Sequence, residues 1–272
     1  MRLLTCLLTE NDCEKLGRTI TPRGVMVHST GANNPTLRRY VQPVAATPGR
    51  EELLGLLGVN GNGNHWNRPG TNACVHGFIG TLADGSVAAV QTLPWNRRGW
   101  HAGTGTSGRS ANDTHISFEI CEDGLTDAAY FARVYQAAVE LTACLCRRYK
   151  LDPLADGVVI CHQEGFRRGV ASNHGDVEHW FPKFGKTMDD FRADVAEEME
   201  DDDMTQEKFD ALMEDWLARQ AEKEPGDWSA EERAWAEANG IIRGDENGAK
   251  RYQSFCTREE LAVMLCRRSG GA

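Results

Sequence analysis

The 272-residue sequence predicts an α/β protein, a mixed central β-sheet flanked by helices, followed by a small helical module. Three observations carry that reading. Short β-rich runs fill the first half of the chain, amphipathic helical periods dominate the second, and the charge balance changes sharply near residue 197.

The strands come first. Gly24–His28 is a short β-rich run, and Val75–Gly80 is another. Ala83-Asp84-Gly85-Ser86 supplies a turn into Val87–Val90, which predicts a hairpin. Ile116–Ile120 alternates apolar and polar residues and ends at Asp123-Gly124. An N-cap at Thr126 then opens a helix in which Phe131, Val134, Ala138, Leu141, Leu145 and Tyr149 share one face, and Asp152-Pro153 stops it. Val158–Cys161 is apolar throughout, as a buried strand is. Thr187, with Asp190 three residues on, opens a further helix carrying Phe191, Val195 and Met199.

The tail differs in charge. Lys+Arg and Asp+Glu number 20 and 20 in residues 1–196 but 10 and 20 in residues 197–272, so the whole net charge of −10 lies in the tail. Glu197–Asp203 holds six acids in seven residues, a self-repelling run that predicts a helix end passing into an acidic linker over 197–204. A catalytic domain over 1–196 and a helical module over 205–272 are therefore expected. In the module, Ser229–Glu232 and Thr257–Glu260 read as capping boxes. The first helix carries Trp235 and stops at Asn239-Gly240; the second carries Leu261, Met264 and Leu265. Trp216, Trp228, Trp235 and Leu261 are expected to form a small core. The pattern WAEANGIIRG…TREELAVML resembles one S-layer-homology-like unit, which implies wall attachment; the other reading is a packing module that makes a homodimer.

Composition excludes some classes. An acidic tail repels phosphates, so nucleic acid is not an expected partner. No apolar run reaches the roughly 18–20 residues of a membrane span, so membrane insertion is not expected. The N-terminal MRLLTCLLTENDCEK lacks a small-residue cleavage site and is not read as a signal peptide. Nine cysteines without a CxxC pair are expected to be mostly reduced thiols of a cytosolic protein, with Cys144 and Cys146 serving packing.

The chemistry centres on histidine. His28 and His162 each end an apolar strand and meet polar residues, Ser29-Thr30-Gly31 and Gln163-Glu164-Gly165. Two such histidines can converge at one sheet edge, and a catalytic zinc takes three protein ligands with a fourth position for water. The loop Ser172–Trp180 offers several candidates for the third.

VMVHSTG, GWHAG, NDTHISFEI and the CH…NHGDVEHWF segment, in this order, resemble the N-acetylmuramoyl-L-alanine amidases of the type-2 amidase family. That family includes phage lysins, a muropeptide-recycling amidase and peptidoglycan recognition proteins. The resemblance spans residues from about 20 to about 195 and implies the mixed-sheet fold, a zinc cofactor, and cleavage of the bond between N-acetylmuramic acid and L-alanine in bacterial peptidoglycan. It places His28 and His162 on the two zinc histidines and Asp176 on the third ligand, with His179 as the alternative. Glu119 falls on the general-base position. His174 falls where many relatives carry an oxyanion-steadying lysine, and Val177-Glu178 replaces the usual Pro-Gly. His76 and His101 fall on groove-lining positions, and Trp66 can offer an aromatic face to a sugar or peptide stem; His115 is read as structural.

These roles suit the reaction. An amide is a poor electrophile, and zinc both polarises its carbonyl and lowers the pKa of bound water to about 7. A carboxylate at Glu119 can take the water's proton and return it to the alanine nitrogen. The combination implies a phage or prophage endolysin that accumulates in the host cytoplasm and acts at the cell wall. The alternative is a recognition protein that binds peptidoglycan without cutting it.

Overall fold

A computed structural model describes residues 1–201, 206–245 and 247–270. The chain divides into two compact units, Met1–Asp202 and Asp203–Ala272.

In chain order the first unit holds β1 (Leu3–Thr5), α1 (Asp12–Leu16), β2 (Gly24–Ser29), α2 (Arg50–Leu57), β3 (Gly77–Thr81), β4 (Val87–Gln91) and β5 (His115–Ile120). α3 (Ala128–Tyr149), β6 (Val159–Cys161), α4 (His162–Arg167) and α5 (Met188–Asp201) follow. The six strands form one sheet in the order β1-β4-β3-β5-β2-β6. It is mixed: β3 and β4 are the expected antiparallel hairpin, closed by Gly85 at φ +82°, and every other neighbouring pair is parallel.

Side-chain alternation sorts the sheet into two faces. Val25 and Val27 of β2 with Ile116, Phe118 and Ile120 of β5 join one core, filled by α3 and by Trp180, Phe181 and Phe191. Phe118 is fully buried there, and truncating it to Ala costs about 3–5 kcal/mol. The intervening residues of the same strands, Met26 and His28, Ser117 and Glu119, point to the opposite face. Pairing of hydrophobic residues with α3 thus forces the polar ones into a shared space.

Two boundaries move. α3 is capped by Asp127, whose carboxylate accepts from the Ala129 and Tyr130 amides at 2.9 and 3.0 Å, rather than by Thr126. Asp127 directly precedes the first helical residue, Ala128, so its carboxylate meets the N–H groups two and three residues on. α5 opens as expected, with Thr187 and Asp190 bonding reciprocally, and runs through the acidic stretch to Asp201. The rest of the expected linker, residues 202–204, lies outside the described residues.

Seven of the nine cysteines are free, in line with mostly reduced thiols, and Cys13 and Cys74 form a disulfide across 61 residues. α1 and the stretch before β3 are brought together by the Asn11 amide, which bonds the Trp66 and Ala73 carbonyls.

The second unit contains α6 (Gln206–Ala221), α7 (Ala230–Ala238) and α8 (Arg258–Arg268). Thr257 and Glu260 form the expected capping box. Ser229 does not: it sits in a 3-10 turn and its hydroxyl donates to the Gly226 carbonyl at 3.1 Å. The expected core is also corrected. Trp216, Trp228, Trp235 and Leu261 are 40, 87, 55 and 50% exposed, and among the described residues of this unit only Ile241 is buried. Three short helices present too few facing apolar positions to close around large indoles. Among the described residues no helix is long and apolar enough to cross a membrane.

Candidate metal centre and cleft

Three chain segments meet at one edge of the sheet. His28 is the penultimate residue of β2 and Glu119 lies beside it on β5, the two paired in register. β6 runs parallel to β2 on its other side, and His162 follows it as the first residue of α4. That junction is held by Glu164, which accepts from the Cys161 amide at 3.1 Å and pairs with Arg192 at 3.1 Å. Asp176 arrives from the loop after α4, at the start of a short 3-10 turn, with a left-handed backbone at φ +43°. Such a conformation is uncommon outside glycine, although Asp tolerates it better than most, and it is the kind of local strain that functional positions retain.

The ligand atoms converge. Asp176 Oδ2 is 3.2 Å from His28 Nδ1 and 2.9 Å from His162 Nδ1, and the two imidazole nitrogens are 3.2 Å apart. Ligands held at about 2.0–2.1 Å around a tetrahedral zinc lie about 3.3–3.4 Å from one another. The triangle therefore fits such an ion, and two imidazoles with a carboxylate is one of the donor sets that catalytic zinc uses. His28 and His162 are buried and Asp176 is partly so. Burial lowers the His28 pKa against the pull of Asp176. Burial also works against the Asp176 charge, but the two imidazoles outweigh it and hold that carboxyl below its usual range. His179 is not part of the triangle; its Nε2 pairs with Glu122 at 3.1 Å.

A cleft of about 550 Å³ opens over this triangle, lined among others by Trp66, Trp100, His101, Glu119, His174 and Asp176. Glu119 Oε2 is shielded from solvent and finds no hydrogen-bond partner among the described residues. Burial first, then the Asp176 and Glu122 carboxylates, push the Glu119 carboxyl well above its ordinary range. His174 is exposed, with its ring 4.6 Å from that of His162. Trp66 packs edge-on against Phe78, and Trp100 lies beneath the Arg98 guanidinium.

The two groove histidines separate. His101 does reach the cleft, but its Nδ1 contacts His28 Nε2 at 3.0 Å, so it also backs the metal-side histidine. His76 does not reach it. It is fully buried, with Nε2 donating to the Arg97 carbonyl at 2.7 Å and Nδ1 accepting from the Ser117 amide at 3.0 Å. Both ring nitrogens are thereby engaged, and substrate cannot touch it. His115 is buried against the Gly157 carbonyl, a structural place.

Two residues escaped the sequence reading. Glu122 is buried and ties the loop after β2 by accepting from Ser29 Oγ at 2.5 Å and the Gly31 amide at 3.1 Å. Ser172 stands between His162 and His174, 3.3 and 3.2 Å from their ring nitrogens. Neither position carries a sequence signal, since each depends on segments brought together by folding.

The family described as N-acetylmuramoyl-L-alanine amidase matches residues 18–179. Among solved structures, the chain is similar to the Staphylococcus aureus hydrolase AmiA in complex with its ligand, at 19% identity over 73% of this chain and 83% of that one, with a TM-score of 0.46. It is similar to a mutant endolysin from Bacillus subtilis at 21% identity, over 72% of this chain and 99% of that one, with a TM-score of 0.44. It is also similar to the amidase LysC from Clostridium intestinale at 13% identity, over 72% and 98%, with a TM-score of 0.41. No curated protein sequence matches it.

Proposed function

The chain belongs to the N-acetylmuramoyl-L-alanine amidase family, and on that premise we propose that it is a zinc-dependent peptidoglycan hydrolase cutting the bond between N-acetylmuramic acid and L-alanine. The observation that carries this reading is the convergence of His28, His162 and Asp176 on one point beside the shielded carboxyl of Glu119.

Zinc bound by those three residues supplies an electrophile for the amide carbonyl and brings the pKa of a water down to about 7. The chain's own groups do the rest. Glu119 takes a proton from the attacking water and passes it to the departing alanine nitrogen, a task for a carboxylate that register pairing sets beside His28. His174, on the open side of the cleft, donates an N–H to the oxygen that gathers charge, a contribution of about 3–4 kcal/mol for one such donor. Trp66 and Trp100 wall the cleft with aromatic surface against which a sugar or peptide stem can lie. His101 orients His28 from behind.

An endolysin role, with phage or prophage origin, accumulation in the host cytoplasm and action at the wall, completes the proposal. It is supported by the pairing of an amidase unit with a separate C-terminal unit, which we read as a module for wall attachment or self-association. Digestion of purified peptidoglycan tests the whole. New free alanine amino groups, without new reducing sugars, are expected; walls bound with no new chemical ends would make the chain a recognition protein.

A further inference from the structure

Three partners surround the Ser172 hydroxyl: the Ala102 carbonyl at 3.2 Å, His162 Nε2 at 3.3 Å and His174 Nδ1 at 3.2 Å. The chain reaches this place by a local device. α4 ends at Arg167, Gly169 turns the backbone at φ +71°, and the Val170 and Ser172 amides then bond back to the Gly165 and Ala102 carbonyls at 2.9 and 2.8 Å.

A hydroxyl has one proton and two lone pairs, and a carbonyl can only accept. The proton therefore goes to Ala102, because any other assignment sets two acceptors against each other. Both imidazoles must then present an N–H to Ser172: His162 from Nε2 and His174 from Nδ1. The other nitrogen of His162, Nδ1, lies 2.9 Å from Asp176 Oδ2 and 3.2 Å from His28 Nδ1; with the Nε2 proton fixed, it offers a lone pair when a cation sits among the three and shares a second proton with Asp176 when none does.

We propose that Ser172 is a positioning residue that fixes the tautomer of His162, turning its Nδ1 lone pair to the metal position, and that holds His174 through Nδ1 so that Nε2 is left for substrate. One hydroxyl thus couples a metal ligand to the group facing the developing oxyanion. On the other side of the triangle the corresponding outer partner of His28 is His101. Outer partners of this kind fix the tautomer and orientation of metal-binding histidines, and losing one typically weakens metal binding about 10–100-fold.

The inference rests on the zinc reading, and two measurements on the full chain keep the two apart. Imidazole nitrogen shifts of the metal-free protein, taken by NMR at about pH 8, report the tautomer without any metal. Competition with a chromophoric chelator reports zinc affinity. His162 is expected to be protonated on Nε2 in the unaltered protein. Ser172→Ala is expected to lose that preference and bind zinc about 10–100-fold more weakly with its backbone amide spectrum otherwise retained, and Ser172→Thr to restore both. A His162 with no proton on Nε2, or a Ser172→Ala protein with unchanged Nε2 protonation and unchanged affinity, overturns the proposal. Protein that takes up no zinc while His162 keeps the Nε2 proton defeats the zinc reading but leaves Ser172 in control of the tautomer.

Discussion

His28 and Glu119 are register partners on the adjacent parallel strands β2 and β5, on the sheet face turned away from α3. The proposed ligand and the proposed proton-transfer group are thereby placed side by side by the sheet itself, with no loop between them. In the proposed mechanism Glu119 is left for acid–base work, because His28, His162 and Asp176 converge as a set that can hold the ion without it.

Glu119→Gln is accordingly expected to fold and to bind zinc as the unaltered protein does, while turnover falls by about 10²–10⁴. Zinc content and kcat on a soluble muropeptide measure both. Near-normal kcat would remove Glu119 from the proton path.

The buried histidines set an acid limit on stability. Burial lowers the His76 pKa from 6.5 to about 4. The folded protein then holds His76 neutral while the unfolded chain binds a proton below pH 6.5. Stability is full above about pH 6.5 and is lost as pH falls towards about 4, by an amount on the order of 3 kcal/mol. Urea unfolding at several pH values should show a shallower acid decline for His76→Gln. Parallel curves for the two proteins would contradict this place for His76.

The Cys13–Cys74 bond closes a loop spanning 61 residues. Chain-entropy arguments give such a cross-link about 4 kcal/mol of stabilisation. Reductant, or Cys13→Ala, should lower the urea midpoint by a corresponding amount. An unchanged midpoint under reductant would mean the bond contributes nothing.

Much of this site was legible in the sequence, and the reason is local. His28, Glu119 and His162 sit at or near the ends of short strands whose apolar patterns announce them, and the Asn173–Trp180 loop carries a recognisable order of residues. What stayed hidden depends on distance along the chain. Cys13 meets Cys74, Ser29 meets Glu122 across 93 residues, and His28 meets Asp176 across 148. His76 and His101 looked alike as motif residues. Only packing shows that the Arg97 carbonyl and the Ser117 amide occupy both nitrogens of the first. β1 was not among the expected strands, because its partner β4 lies far along the chain, with Leu3 paired to Ala89.

The C-terminal unit leaves Trp216, Trp228, Trp235 and Leu261 exposed, so it is expected to act through contacts with another surface. Truncation after Asp203 should preserve turnover on a soluble muropeptide and reduce lysis of whole sacculi. Because the tail carries the chain's whole net charge of −10, binding to anionic walls must use short-range contacts and should not collapse as salt rises. Equal loss on both substrates would show that the tail supports the catalytic fold instead.

In the proposed mechanism one zinc ion, held by His28, His162 and Asp176, drives the amide cleavage. Zinc titration into chelator-stripped protein tests it most directly, with turnover followed on a muropeptide. Turnover should rise linearly and level off at about one equivalent, and His162→Ala should neither bind the ion nor gain activity. Full turnover in the stripped protein, or an undiminished response from His162→Ala, would contradict it.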